Sequence, residues 1–186
     1  METSATIVWR SLYLNGHEYC RVYFQNERWV LNGSAVFVRD NRPASLSYNI
    51  ECNSEWETLR AKVCGRVGDE EIEVAIFALP DTTWTMAGVA QPNVLGCTDI
   101  DLNFSPSTNL LPIRRLKLEV GQEASVRAAW LRFPGFQLEL LEQTYIRLSE
   151  DTYRYVSGGG AFSAELKVNM FGLVTHYPGI WEEQPG

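Results

Sequence analysis

Apolar and polar residues alternate along most of this chain. Leu46, Tyr48, Ile50 and Cys52 interleave with Ser45, Ser47, Asn49 and Glu51, and Ile72, Val74 and Ile76 with Glu71, Glu73 and Ala75. The same period recurs in Leu116 to Val120, in Phe136 to Leu140 and in Phe162 to Asn169. A period of two sends one set of side chains into an apolar layer and the other into water, as in half-buried antiparallel strands. Turn signals separate the runs: Asn15-Gly16, Asp40-Asn41-Arg42-Pro43, Gly68-Asp69, Gly121-Gln122, Pro134-Gly135 and Gly158-Gly159-Gly160. Asn32-Gly33, between Trp29–Leu31 and Ala35–Val38, predicts a further hairpin of type I′. Ser54-Glu55-Trp56-Glu57 fits a helix capping box. That run is short and reads as strand after Trp56, with a single helical turn as the alternative.

The pattern predicts an all-β protein, a single many-stranded antiparallel sheet with very little helix. So many strands do not stay flat, so the sheet is expected to curl into a spiral β-roll or open barrel. A large roll leaves a cavity or groove lined by its inward side chains, the usual place for a ligand. The chain has 186 residues and shows no linker, repeat or low-complexity tract. One domain spanning residues 1–186 is expected.

Composition narrows the partner. The net charge of −7 argues against nucleic acid, whose phosphates need a basic patch, and against docking on anionic membranes. Met1 to Thr6 lacks the basic and apolar regions of a secretory signal, and no stretch is long and apolar enough to span a bilayer. A soluble, cytoplasmic protein is expected. Cys20, Cys52, Cys64 and Cys97 are widely scattered and read as free thiols serving as small apolar residues rather than as a zinc site. Six Trp, eight Tyr and eight Phe give more aromatic surface than strands alone require. Tyr hydroxyls and Trp faces suit ligands with a sugar head and an apolar tail, although packing across strands uses the same residues.

The densest chemistry lies between Cys97 and Leu116. As a strand, Asp99, Asp101 and Asn103 share one face and Ile100, Leu102 and Phe104 the other. Pro106 and Pro112 bracket a polar turn containing Thr108 and Asn109, and Arg114-Arg115 follows where the chain can double back toward the acids. The cluster is either a structural polar network or a recognition site. Asp99-x-Asp101-x-Asn103 resembles the start of an EF-hand, but Phe104 and Leu110 occupy the positions that need Gly and Glu. Asp99 and Asp101 also raise a glycosidase pair, which their same-facing geometry disfavours. His17 and His176 stand in no nucleophile or metal pattern, and Gly158-Gly159-Gly160 lacks the Lys-Ser/Thr of a phosphate loop. No cofactor or metal site is predicted.

The motifs together resemble the bacterial family described as "Putative glycolipid-binding", long catalogued as a domain of unknown function. The resemblance runs nearly end to end. It includes Gly33, Pro43-x-x-Leu46-x-Tyr48-x-Ile50, Trp56-x-Thr58-x-Arg60 and Trp84. It continues through Gly96-Cys97-Thr98-Asp99-Ile100-Asp101-Leu102, Pro106-x-Thr108-Asn109 and Leu111-Pro112-Ile113-Arg114-Arg115-Leu116. Gln143-x-Tyr145, Tyr153-x-Tyr155 and Gly172-Leu173-Val174-x-x-Tyr177-Pro178-x-x-Trp181 complete it. The resemblance implies a many-stranded β-roll similar in layout to the periplasmic lipoprotein carriers, and a glycolipid ligand that is itself inferred from fold.

The reading that follows is a non-catalytic protein that encloses an amphipathic glycolipid or lipid. Asp99, Asp101, Asn109, Arg114, Arg115, Tyr145, Tyr153, Tyr155 and Trp84 are the candidate ligand-binding residues. A carbohydrate- or lipid-active hydrolase using Asp99 or Asp101 as acid or base stands as the alternative. So does a protein-interaction module with a structural polar core.

Overall fold

A computed structural model describes residues 4–184; the first three residues of the Met1–Thr6 stretch lie outside that range. Hairpins dominate because the alternating segments can satisfy their backbone groups only against one another. The strands are β1 (Ser4–Ser11), β2 (Asn15–Gln25), β3 (Arg28–Arg39), β4 (Arg42–Cys52), β5 (Thr58–Val67), β6 (Glu70–Ala78), β7 (Trp84–Met86) and β8 (Val89–Ala90). After them come β9 (Asp99–Leu102), a short helix α1 (Leu110–Leu116), β10 (Glu123–Arg132), β11 (Gln137–Arg147) and β12 (Thr152–Ser157). β13 (Phe162–Val168), β14 (Val174–Tyr177) and β15 (Trp181–Glu183) complete the chain. All fifteen lie in one sheet, in the order β8-β7-β6-β5-β4-β3-β2-β1-β15-β14-β13-β12-β11-β10-β9. Every neighbouring pair is antiparallel except β9 with β10.

The sheet is a curled, open roll, as the alternation predicts. One end, β9, meets the interior strand β5 without a regular ladder. The outer edge of β9 faces β5, where Thr58 N donates to the Thr98 carbonyl at 3.1 Å. The free N–H groups of Ile100 and Leu102 donate to the hydroxyls of Thr58 and Thr108, at 3.0 and 3.3 Å. Two side chains thus satisfy an edge that would otherwise stay open. β6, β7 and β8 continue beyond this seam. Trp84 of β7 is buried there and donates its Nε1 to the Cys97 carbonyl at 3.0 Å.

Three local expectations fail, each for a physical reason. Asn15-Gly16 is not the turn, because both residues open β2, paired with Val38 and Phe37, and the bend lies at residues 12–14, where Ser11 Oγ accepts from the Tyr13 and Leu14 N–H groups. Asn32-Gly33 is not a hairpin, because β3 runs straight through it. The two-residue turns lie instead at Asn26-Glu27 (φ 51° and 59°) and Asp40-Asn41 (φ 50° and 60°), which take the left-handed conformation that such hairpins demand. Gly33 serves close packing: a Cβ there would sit 2.3 Å from Cζ of Tyr48. Leu116 to Val120 is not a strand either. Leu116 ends α1, and Lys117 turns the chain left-handed at φ 49°. Cys64 departs from the expected apolar role, being exposed where Cys20, Cys52 and Cys97 are buried.

The inner face carries Ile7, Trp9, Leu31, Phe37, Leu46, Ile50, Val63 and Ile76. The roll is not an empty sleeve around a ligand, because the segment from Leu102 to Ile113 runs through it. Phe104 packs against Phe37, Tyr48 and Phe133, with ring centres 6.3–6.5 Å away. Leu110 and Leu111 are fully buried. Each such side chain contributes about 1.5–3 kcal/mol. The chain's own apolar residues occupy space that an acyl chain was expected to take. No helix among the described residues is long and apolar enough to cross a membrane.

Candidate functional site

β9 and the turn after it place the polar residues of the central segment in three different environments. Asp99 is buried and held by Arg115, whose Nε donates to Oδ1 at 3.1 Å and Nη2 to Oδ2 at 2.5 Å. Burial raises the Asp99 pKa, and the Arg115 guanidinium opposes that rise. Asp101, two residues on, meets no arginine. Its Oδ2 accepts from Gln143 Nε2 at 2.7 Å, and burial pushes its pKa up to about 6. Asn103 lies past the end of β9, exposed, with Oδ1 accepting from Phe133 N at 3.2 Å.

Asp101 lines a cleft of about 300 Å³ built from β9 to β15. Tyr155 of β12, Phe162 of β13, Tyr177 of β14 and Trp181 of β15 form one wall, and Trp130 and Leu141 contribute from β10 and β11. The Tyr155 ring lies 6.0 Å from Phe162 and 6.2 Å from Tyr177, both edge-on. Asn103, Ser105 and Asn109 add polar atoms to the lining. Asn109 Nδ2 donates to the Tyr145 hydroxyl at 2.9 Å, and the Tyr145 ring packs on Tyr155 at 5.2 Å. Tyr145 is buried and acts from behind Tyr155 and Asn109. The cleft thus combines ring surface, one carboxyl group and several amide and hydroxyl groups.

A second, larger and more polar groove of about 730 Å³ includes Arg115, Arg127, Gln143, Thr144, Ser157 and Gly159. Ser157 lines both spaces, and Gln143 lines the groove while its amide holds Asp101. The groove and the aromatic cleft therefore adjoin at these two residues.

Of the sequence-predicted set, Asp101, Asn109 and Tyr155 line the aromatic cleft, with Tyr145 directly behind. Asp99 and Arg115 form an ion pair beside it. Arg114 and Tyr153 line a separate cleft at the end of α1. Trp84 sits in the seam, apart from all of these contacts. The sequence reading assigned no role to Gln143, Phe162 or Ser157. Gln143 was visible only as part of Gln143-x-Tyr145, and Phe162 only as one member of an alternating strand.

A further polar cluster lies inside the roll. Glu18 is buried, and its Oε1 accepts from Tyr48 Oη at 2.7 Å and from Ser105 Oγ at 2.5 Å. Its Oε2 has no hydrogen-bond partner among the described residues. Burial raises the Glu18 pKa to about 8, so the side chain is largely neutral at pH 7. The signal was present in the sequence: Glu18 falls in phase with Cys20 and Val22, on the apolar side of β2.

A family model described as "Putative glycolipid-binding" matches residues 6–183. A crystal structure of a DUF1089 family protein from Pseudomonas aeruginosa is 28% identical, with a TM-score of 0.77. That match covers 99% of this chain and 94% of the other. A structure from Brucella abortus, titled a β-barrel-like protein of domain of unknown function DUF1849, is 8% identical with a TM-score of 0.53, over 98% of each chain. At that identity it shows a shared fold alone. Comparison with functionally curated proteins returns no match.

Proposed function

The chain belongs to the family described as "Putative glycolipid-binding", and from that premise we propose that it is a non-catalytic binding protein holding the sugar-bearing head of an amphiphile in the Asp101 cleft. The observation that carries this reading is that Tyr155, Phe162, Tyr177 and Trp181 line one cleft together with Asp101. Ring faces cover the apolar side of a sugar, while a carboxyl and amides bond its hydroxyls. The volume falls at the low end of the usual range for ligand sites. The adjoining groove at Ser157 gives a longer head room to extend. The first part of the tail would lie on Leu141 and Ile180, where each buried CH₂ contributes about 0.8 kcal/mol.

Asp99, Asp101, Asn109, Arg115, Tyr145 and Tyr155 take part in this reading at different depths. Asp101, Asn109 and Tyr155 touch the ligand, while Arg115, Asp99 and Tyr145 hold the wall. A glycosidase of the two-carboxylate type would need both acids available, and the ion pair with Arg115 engages Asp99. The ligand is a small amphipathic molecule. A cytoplasmic setting belongs to the same reading, supported by four free thiols.

Titration with octyl glucoside and octyl maltoside below their micelle concentrations, followed by Trp fluorescence, tests it. Saturable binding that weakens in Phe162→Ala and Asp101→Asn supports the assignment. An absent response to both glycosides, or equal binding by wild type and both variants, rejects it.

A further inference from the structure

α1 ends in two arginines that meet different fates. Arg115 is spent on Asp99. Arg114 turns the other way and lies against the corner formed by two aromatic rings, 5.3 Å from Trp56 and 5.2 Å from Phe171, which meet each other edge to face at 6.3 Å. Its guanidinium has no carboxylate within ion-pair reach and no hydrogen-bond acceptor among the described residues. A cation–π contact engages the charge of a guanidinium without accepting from its N–H groups, which stay available as donors. Burial also lowers the Arg114 pKa, as expected of a cation whose lost hydration is not replaced by a counter-charge.

Arg114 lines a cleft of about 370 Å³ with Lys117, Arg147, Tyr153 and Asn169. Arg147 is held rigidly: its Nη1, Nη2 and Nε donate to the carbonyls of Leu118, Glu150 and Ser149 at 2.7, 2.9 and 3.2 Å. Its guanidinium lies 5.7 Å from the Tyr153 ring centre. Backbone carbonyls fix its position without neutralising its charge. The Lys117 ammonium is 3.8 Å from Glu55, with both groups largely exposed, a pairing that contributes little. Glu150 also lines the cleft, as the one acid among three cations.

From this juxtaposition we infer a second binding site, for a phosphate group, in the cleft formed by Arg114, Lys117 and Arg147. The site is distinct from the Asp101 cleft, although Tyr153 and Tyr155 reach the two from the same face of β12. A phosphate group accepts from the planar edge of Arg114 and takes charge from Lys117 and Arg147, with Trp56 and Phe171 fixing the arginine. The group can come from a free phosphate or from a lipid head.

The test is titration calorimetry with two probes, inorganic phosphate and monomeric dihexanoyl phosphatidylglycerol. Wild type, Arg114→Gln, Lys117→Gln and Phe162→Ala are compared, with circular dichroism as the folding control. The expected result is saturable binding of at least one probe, weakened about ten-fold or more in Arg114→Gln and measurably in Lys117→Gln, and unchanged in Phe162→Ala. Tighter binding of the lipid assigns the group to a headgroup, and comparable binding assigns it to free phosphate. Should Arg114→Gln misfold, the exposed Lys117→Gln decides. Binding of neither probe, or binding unaffected by the charge-removing variants, overturns the inference. Loss of binding in Phe162→Ala but not in Lys117→Gln overturns it as well, by moving the anion to the aromatic cleft.

Discussion

Arg115 reaches back sixteen positions to clasp Asp99 with two donors, at 3.1 and 2.5 Å, and so pins the end of α1 to β9. Asp99 is 1% exposed. Removing the cation strands a buried carboxyl group, at a cost of about 3–5 kcal/mol. Arg115→Ala should therefore shift a urea melt strongly toward lower denaturant. Arg114→Ala, which loses cation–π contacts to Trp56 and Phe171 and strands no acid, should shift it much less. Equal shifts would contradict the different roles given to these neighbours.

Glu18 makes stability depend on pH in the alkaline direction. Its pKa is raised from an ordinary 4.5 to about 8 by burial, so the folded state holds the proton more tightly than the unfolded state. The stabilisation is complete below about pH 4.5 and is lost as pH rises through about 8. The steepest loss is about 1.4 kcal/mol per pH unit. Glu18→Gln should flatten that part of the stability–pH curve. Parallel curves for the two proteins would show that Glu18 is already ionised in the fold.

Gly33→Ala tests the packing under Tyr48. The added Cβ would meet the ring at 2.3 Å and the Tyr19 carbonyl oxygen at 2.7 Å. Tyr48 is tied down by its bond to Glu18 and cannot swing away freely. Overpacking of this kind costs about 1–3 kcal/mol or more. A thermal melt unchanged from wild type would mean that the ring relocates without loss.

Asp101 predicts a pH dependence of binding rather than of fold alone. With its pKa pushed up to about 6, it becomes a full acceptor only above that value. Affinity for an alkyl glycoside should rise as pH increases through about 6 and level off beyond it. Asp101→Asn should bind more weakly with no such rise. A rise that persists in the asparagine variant would assign it to another group.

Much of this architecture was legible in the sequence, and the failures have a common origin. Alternation marked β4, β6 and β13 because each has one wet and one buried face. It misled at Leu116, Leu118 and Val120, where three apolar residues at period two lie on a helix end and the turn after it. Asn32-Gly33 has the composition of a turn, yet the contact that fixes Gly33 comes from Tyr48 across the ladder, invisible in local sequence. The candidate site was legible as a segment and not as a place. The spacing of Asp99 and Asp101 predicted a shared face, but only tertiary packing gives one of them Arg115 and the other Gln143. Phe162 and Trp181 reach Asp101 through the curl of the sheet, which no sequence window contains.

The central claim is that the cleft between Asp101 and Tyr155 receives the sugar end of an amphiphile. Intermolecular nuclear Overhauser effects between octyl glucoside and the protein test it most directly. The account predicts that sugar-ring protons contact the aromatic protons of Tyr155, Phe162 and Tyr177, and that octyl protons contact Leu141 and Ile180. Sugar contacts confined to outward-facing residues such as Tyr19 and Val36, or octyl rather than sugar protons against Tyr155, would contradict it.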